Sequence, residues 1–126
     1  MLAKESPENR KTLMIVDDEP LNLRVYQVQF RKEYNVITFQ DPDEAAAYDD
    51  LDKVDMLITD FKMPSLNGYE LVKDVKARNS NVFAIILTGY MDSDILNEAM
   101  ASDIVDQIVA KPCGKKKLMD VLNGNA

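Results

Sequence analysis

Leu13-Met14-Ile15-Val16 runs unbroken into Asp17-Asp18-Glu19-Pro20. Four consecutive apolar residues with no polar alternation describe a strand covered on both faces, as in the interior of a parallel sheet. The acidic pair ends that strand abruptly. Pro20 suits the first turn of a helix, where its missing N–H costs nothing. Leu23, Tyr26 and Phe30 then recur at helical spacing and predict a helix to about Lys32. The unit is therefore a buried strand, an acidic turn and a helix.

The same unit repeats outward along the chain. Val36-Ile37-Thr38-Phe39 predicts a second strand, and Asp41-Pro42 opens a helix containing Ala45, Ala46, Ala47 and Tyr48. Asp55-Met56-Leu57-Ile58-Thr59 predicts a third strand running into Asp60, followed by the loop Phe61–Gly68 and a helix with Tyr69, Leu71, Val72 and Val75 on its apolar side. Val82–Leu87 is a fourth strand, stopping at Thr88-Gly89. A helix from about Ser93 to Ala101 carries Ile95, Leu96, Ala99 and Met100, whose spacing assigns them to the core. Gln107-Ile108-Val109-Ala110 is a short strand ending at Lys111-Pro112, and a last helix runs from about Gly114 to Leu122. Five strand-then-helix units predict an α/β fold, a parallel sheet sandwiched between helices.

With 126 residues, 46% of them hydrophobic and 29% charged, the chain suits one globular domain. We place it at residues 11–122, with a polar, mobile tail over 1–10 that carries Pro7 and a short tail over 123–126. A net charge of -7 argues against direct nucleic-acid contact, which needs a basic face. No apolar run is long enough to span a membrane, and Met1–Arg10 holds no stretch like a signal peptide, so a cytoplasmic location is expected. Cys113 has no cysteine partner and is read as structural. The chain contains no histidine, which leaves carboxylates, hydroxyls and lysine for any chemistry.

Those groups are not scattered. In an open parallel sheet, function collects beyond the carboxyl ends of the strands. Asp17 and Asp18 leave the first strand, Asp60 the third, Thr88 the fourth and Lys111 the fifth; the second ends without a reactive group. Three carboxylates brought together repel one another and lose solvation unless a cation compensates. Lys111 supplies one charge, and an all-oxygen ligand set suits magnesium.

Asp17-Asp18, Asp60-Phe61-Lys62-Met63-Pro64-Ser65-Leu66-Asn67-Gly68, Thr88-Gly89 and Lys111-Pro112 together resemble the signature of the response-regulator receiver domains of two-component signalling. The resemblance covers about residues 11–122 and rests on four separated segments matching in order and type. It implies a flavodoxin-like (βα)5 sandwich with sheet order 2-1-3-4-5. It makes Asp60 the phosphoacceptor, Asp18 and Asp60 direct magnesium ligands, Asp17 a ligand through water, and the backbone carbonyl of Lys62 a further ligand. Thr88 and Lys111 would each hold a phosphoryl oxygen. The implied donor is a sensor histidine kinase or phosphotransfer protein. The implied output is a changed affinity of the surface around the fourth helix, fifth strand and fifth helix for an output domain or effector, or for a second copy in a dimer. Such a chain is a switch rather than an enzyme, catalysing at most its own phosphorylation and dephosphorylation. Two features depart from the pattern. Ile108 stands where many receivers place an aromatic switch residue, and Lys62 and Tyr90, two residues beyond Asp60 and Thr88, flank the path of the hydrolytic water.

Other readings use the same residues. Asp17-Asp18 could cap the first helix, Asp60 could begin an ordinary turn, and Lys111 could be a surface lysine beside Pro112, a bond that is cis in the family. Lys115-Lys116-Lys117 opposes the helix dipole and hints at an acidic partner, although solvation explains most such runs. A haloacid-dehalogenase-like phosphatase would need a second acid where Lys62 stands. A flavin-binding module would need a phosphate-cradling loop where Asp17-Asp18-Glu19 stands. A pseudo-receiver that only binds partners would not need the full residue set.

Overall fold

The computed structural model describes residues 10–89 and 94–124. The order of elements is β1 (Thr12–Val16), α1 (Pro20–Phe30), β2 (Asn35–Phe39), α2 (Pro42–Ala46), β3 (Met56–Asp60), α3 (Gly68–Arg78), β4 (Phe83–Thr88), α4 (Asp94–Ala101), β5 (Gln107–Ala110) and α5 (Lys115–Leu122), with a 3-10 turn at Leu51–Lys53 between α2 and β3. All strand pairings are parallel. The sheet order is β2-β1-β3-β4-β5, so strands are added on one side of β1 and then on the other, which makes the β1–β3 boundary the topological switch point. The expected tails lie outside the described residues except for Arg10, Asn123 and Gly124.

Alternation along each strand builds two cores. Leu13 and Ile15 face one layer with Met56, Ile58, Ile85, Leu87 and Val109, against Leu23 and Phe30 of α1 and Leu118 and Val121 of α5. Met14 and Val16 face the other with Leu57, Ala84 and Ile86, against Ala45 of α2, Leu71, Val72 and Val75 of α3, and Leu96 and Ala99 of α4. Side chains of successive strand residues point to opposite faces, so a strand buried on both sides must be apolar throughout. That is why Leu13–Val16 shows no polar alternation.

Two expectations need correction. Ile95 and Met100 are not core residues; they are 48% and 55% exposed. At about 100° per residue each lies roughly 70° from the centre of the buried Leu96–Ala99 stripe, so both sit on the rim of α4. The second helix is also shorter than expected: α2 stops at Ala46, Ala47 is its C-cap, and Tyr48 lies beyond it, edge-on to Phe39 at 5.5 Å between ring centroids.

Candidate functional site

Sheet register assembles the polar residues. Val16 pairs with Thr59, which brings the next residues, Asp17 and Asp60, side by side across the β1–β3 switch. Asp60 pairs with Leu87, so Thr88 stands one step further, and Thr88 pairs with Ala110, the residue before Lys111. The Lys111 N–H donates to the Thr88 carbonyl at 2.9 Å. The Lys111-Pro112 peptide bond is cis. Sequence reading places Asp60 just after the third strand; it is in fact the last residue of β3.

Asp17, Asp18 and Asp60 each bring a carboxylate oxygen within 4.8 Å of the others. Asp17 is 2% exposed. One of its oxygens accepts from the Glu19 N–H at 2.9 Å and the other from the Asn22 side-chain amide at 3.1 Å. It does not cap α1, whose N-cap is Glu19 and carries no side-chain capping bond. Lys111 Nζ forms an ion pair with Asp60 Oδ1. Burial raises the Asp60 carboxyl above its ordinary range. The Lys111 hydrogen bond and charge pull it down, while Asp17 and Asp18 push it up, and the net shift is upward. Tyr26 of α1 is partly buried against the core that holds Leu13 and Ile15. Its burial, then the nearby charges of Asp17, Asp60 and Cys113, push the phenol up to about 12, so it stays neutral at physiological pH.

Residues Phe61–Asn67 return the chain to α3 tightly. The Phe61 N–H donates to the Leu87 carbonyl at 2.9 Å, and the Gly68 N–H to the Phe61 carbonyl at 2.7 Å. A Cβ at Gly68 would stand 2.5 Å from the Asp60 carbonyl oxygen. Only glycine permits that approach without moving the backbone of the Asp60 residue. Phe61 and Met63 are buried and anchor the loop, while Lys62 is exposed between them. Asn67 and Glu70 form a reciprocal capping box that starts α3.

Asp17, Asp18, Asp60, Lys62, Thr88 and Lys111 all lie at this one end of the sheet, and Tyr90 lies outside the described residues. Thr88 is 2% exposed at the end of β4. Ile108 is half-buried on β5 and packs with the α2–α4 core. Sequence reading missed Asn22, whose signal was weak: it reads as an ordinary polar residue on the solvent face of α1.

Chemically, three carboxylates close enough for one cation, directly or through water, provide the hard oxygen donors that suit magnesium. Among the described residues no helix is long and apolar enough to cross a membrane.

Known proteins resemble this chain in sequence and fold. The hydrogenase transcriptional regulatory protein HoxA of Cupriavidus necator is 28% identical over 115 residues, 91% of this chain and 24% of HoxA. The response regulator SaeR of Staphylococcus aureus is 31% identical over 112 residues, 88% of this chain and 48% of SaeR. The chain thus spans about a quarter to a half of the length of these curated relatives. A solved response regulator receiver domain protein of Clostridium thermocellum is 25% identical, with a TM-score of 0.83 over 91% of this chain and 93% of that one. Residues 13–123 match the response regulator receiver domain, so the chain belongs to that family.

Proposed function

We propose that residues 11–122 form a phosphorylation switch in which Asp60 accepts a phosphoryl group from a sensor histidine kinase or a phosphotransfer protein. The observation that carries this reading is the convergence of Asp17, Asp18 and Asp60 at the β1–β3 switch, with Lys111 paired to Asp60. An Asp60 carboxylate oxygen forms the new bond to phosphorus, and the bond from phosphorus to the donor breaks, the leaving group keeping the electron pair. Phosphoryl transfer needs little from a protein beyond positioning and neutralisation of charge. Asp18 and Asp60 would ligate magnesium directly, Asp17 through water, and the Lys62 carbonyl would complete the protein's share. Magnesium, when bound, offsets the charge of the carboxylates and the phosphoryl oxygens. Lys111 exchanges its pairing with Asp60 for a phosphoryl oxygen, and Thr88 donates its hydroxyl to another.

A protein donor finds an apolar footing beside the site, where Leu21, Val25 and Val28 of α1 are exposed. On the output side, the exposed Ile95 and Met100 give the α4-β5-α5 surface apolar contacts for an effector, an output domain or a second copy. Ile108 at the usual aromatic position means that coupling to this surface does not run through a rotating ring on β5.

The test is intact mass after incubation with acetyl phosphate, with and without magnesium, on wild type and Asp60→Asn. The expected result is one magnesium-dependent phosphoryl group, labile to hydroxylamine and absent in the variant. Uptake by Asp60→Asn would displace the acceptor assignment. Failure of both phosphoryl uptake and magnesium binding in the wild type would favour a pseudo-receiver that works through partners alone.

A further inference from the structure

Asp17 and Asp60 are held in different ways. Asp60 is paired with a cation, Lys111. Asp17, at 2% exposure, is held by two neutral donors, the Glu19 N–H and the Asn22 amide, one on each oxygen. Neutral donors orient a carboxylate without supplying a compensating charge, so Asp17 keeps its negative charge for a cation. Asn22 is itself an exposed residue of the first turn of α1, and its side chain reaches back to Asp17. Its backbone N–H already reaches the Glu19 carbonyl at 3.1 Å, so the side chain contributes nothing to starting the helix.

We infer that Asn22 is a positioning residue for the magnesium site, fixing the carboxylate plane of Asp17 from α1. This rests on the proposed magnesium-dependent function. Groups that hydrogen-bond a metal's protein ligands typically account for about 10- to 100-fold in metal affinity. The lower end applies here, because Asp17 reaches the ion through water and the Glu19 N–H continues to hold its other oxygen. Helix α1 thus has two parts: the Leu21–Val25–Val28 face, pointing to solvent, and Asn22, turned toward the pocket.

The experiment is a calorimetric titration of the full chain with magnesium chloride, on wild type, Asn22→Leu, Asn22→Gln and Gln27→Leu. Leucine removes the donor and favours the helix, so the exposed position tolerates it; Gln27→Leu makes the same exchange elsewhere on α1. Magnesium binding is expected to weaken by roughly tenfold in Asn22→Leu, to recover in large part in Asn22→Gln, and to stay unchanged in Gln27→Leu. Phosphorylation by acetyl phosphate in Asn22→Leu should require proportionally more magnesium yet reach the wild-type rate at saturation, a split that general disruption of the fold would not produce. Wild-type affinity in Asn22→Leu overturns the inference, as does equal weakening in Gln27→Leu. A wild type that binds no magnesium overturns the proposed function itself, an outcome distinct from the other two.

Discussion

Asp60 sits where burial and two neighbouring carboxylates outweigh the attraction of one lysine, and this has a consequence for stability. Its folded pKa lies above the unfolded value, so the folded chain holds the proton more tightly. The resulting stabilisation is complete below the unfolded pKa, near 3.8, and is lost as pH rises through the folded value. At neutral pH the ionised carboxylate is therefore a net cost to the metal-free fold. Asp60→Asn is expected to raise the Tm of the magnesium-free protein at pH 7, with the gain over wild type shrinking as pH falls toward that unfolded value. A gain independent of pH would assign the effect to something other than ionisation. Gly68 is the second residue with a decisive local role. Its Cβ position is filled by the Asp60 carbonyl oxygen, a backbone atom that cannot swing aside. Gly68→Ala should cost about 1–3 kcal/mol in urea denaturation, and because the displaced atom belongs to Asp60, phosphoryl uptake should fall with it.

Among the elements, α3 depends most on its start. Asn67 accepts from the Glu70 N–H at 2.8 Å while the Glu70 side chain accepts from the Asn67 N–H at 2.9 Å. This box fixes the far end of the loop that begins at Asp60. Asn67→Ala is expected to destabilise the fold by about 1 kcal/mol, measured by chemical denaturation, and Asn67→Asp should preserve most of the stability, since an aspartate accepts the same bond. At the opposite end of the sheet, Asp106 Oδ2 accepts from Lys76 Nζ and from the Ala84 N–H, each at 2.8 Å, tying α3 and β4 to the start of β5. Neither pairing was legible in the chain, because Lys76 and Asp106 lie 30 residues apart. The strands were legible, since doubly buried strands must be apolar throughout. Helix α4 was only half so: Leu96 and Ala99 are buried as their spacing implies, whereas spacing alone did not separate them from Ile95 and Met100 on the rim.

At the scale of the molecule, binding of a cation to the folded state alone must stabilise it. The Asp17–Asp18–Asp60 cluster requires the native register of β1 and β3, which an unfolded chain lacks. Magnesium at 100 times its dissociation constant should therefore add about 2.7 kcal/mol of stability, seen as a rise in Tm that a chelator reverses and that is lost in Asp18→Asn. No dependence of Tm on magnesium would show that these carboxylates do not form a cation site. The sequence by itself determined the alternation of strands and helices, the apolar character of both cores, and the placing of Asp17, Asp18, Asp60, Thr88 and Lys111 at strand ends. These are local matters of period and of where an apolar run stops. The order 2-1-3-4-5 was implied by the family resemblance and is observed, whereas only the tertiary structure decided that Lys111 pairs with Asp60 across the intervening β4 and that the Asn22 side chain of α1 turns to Asp17. Contacts of that kind depend on strand register and on how a helix is rotated against the sheet. Both are set by packing between segments distant in sequence, and a one-dimensional pattern does not carry them.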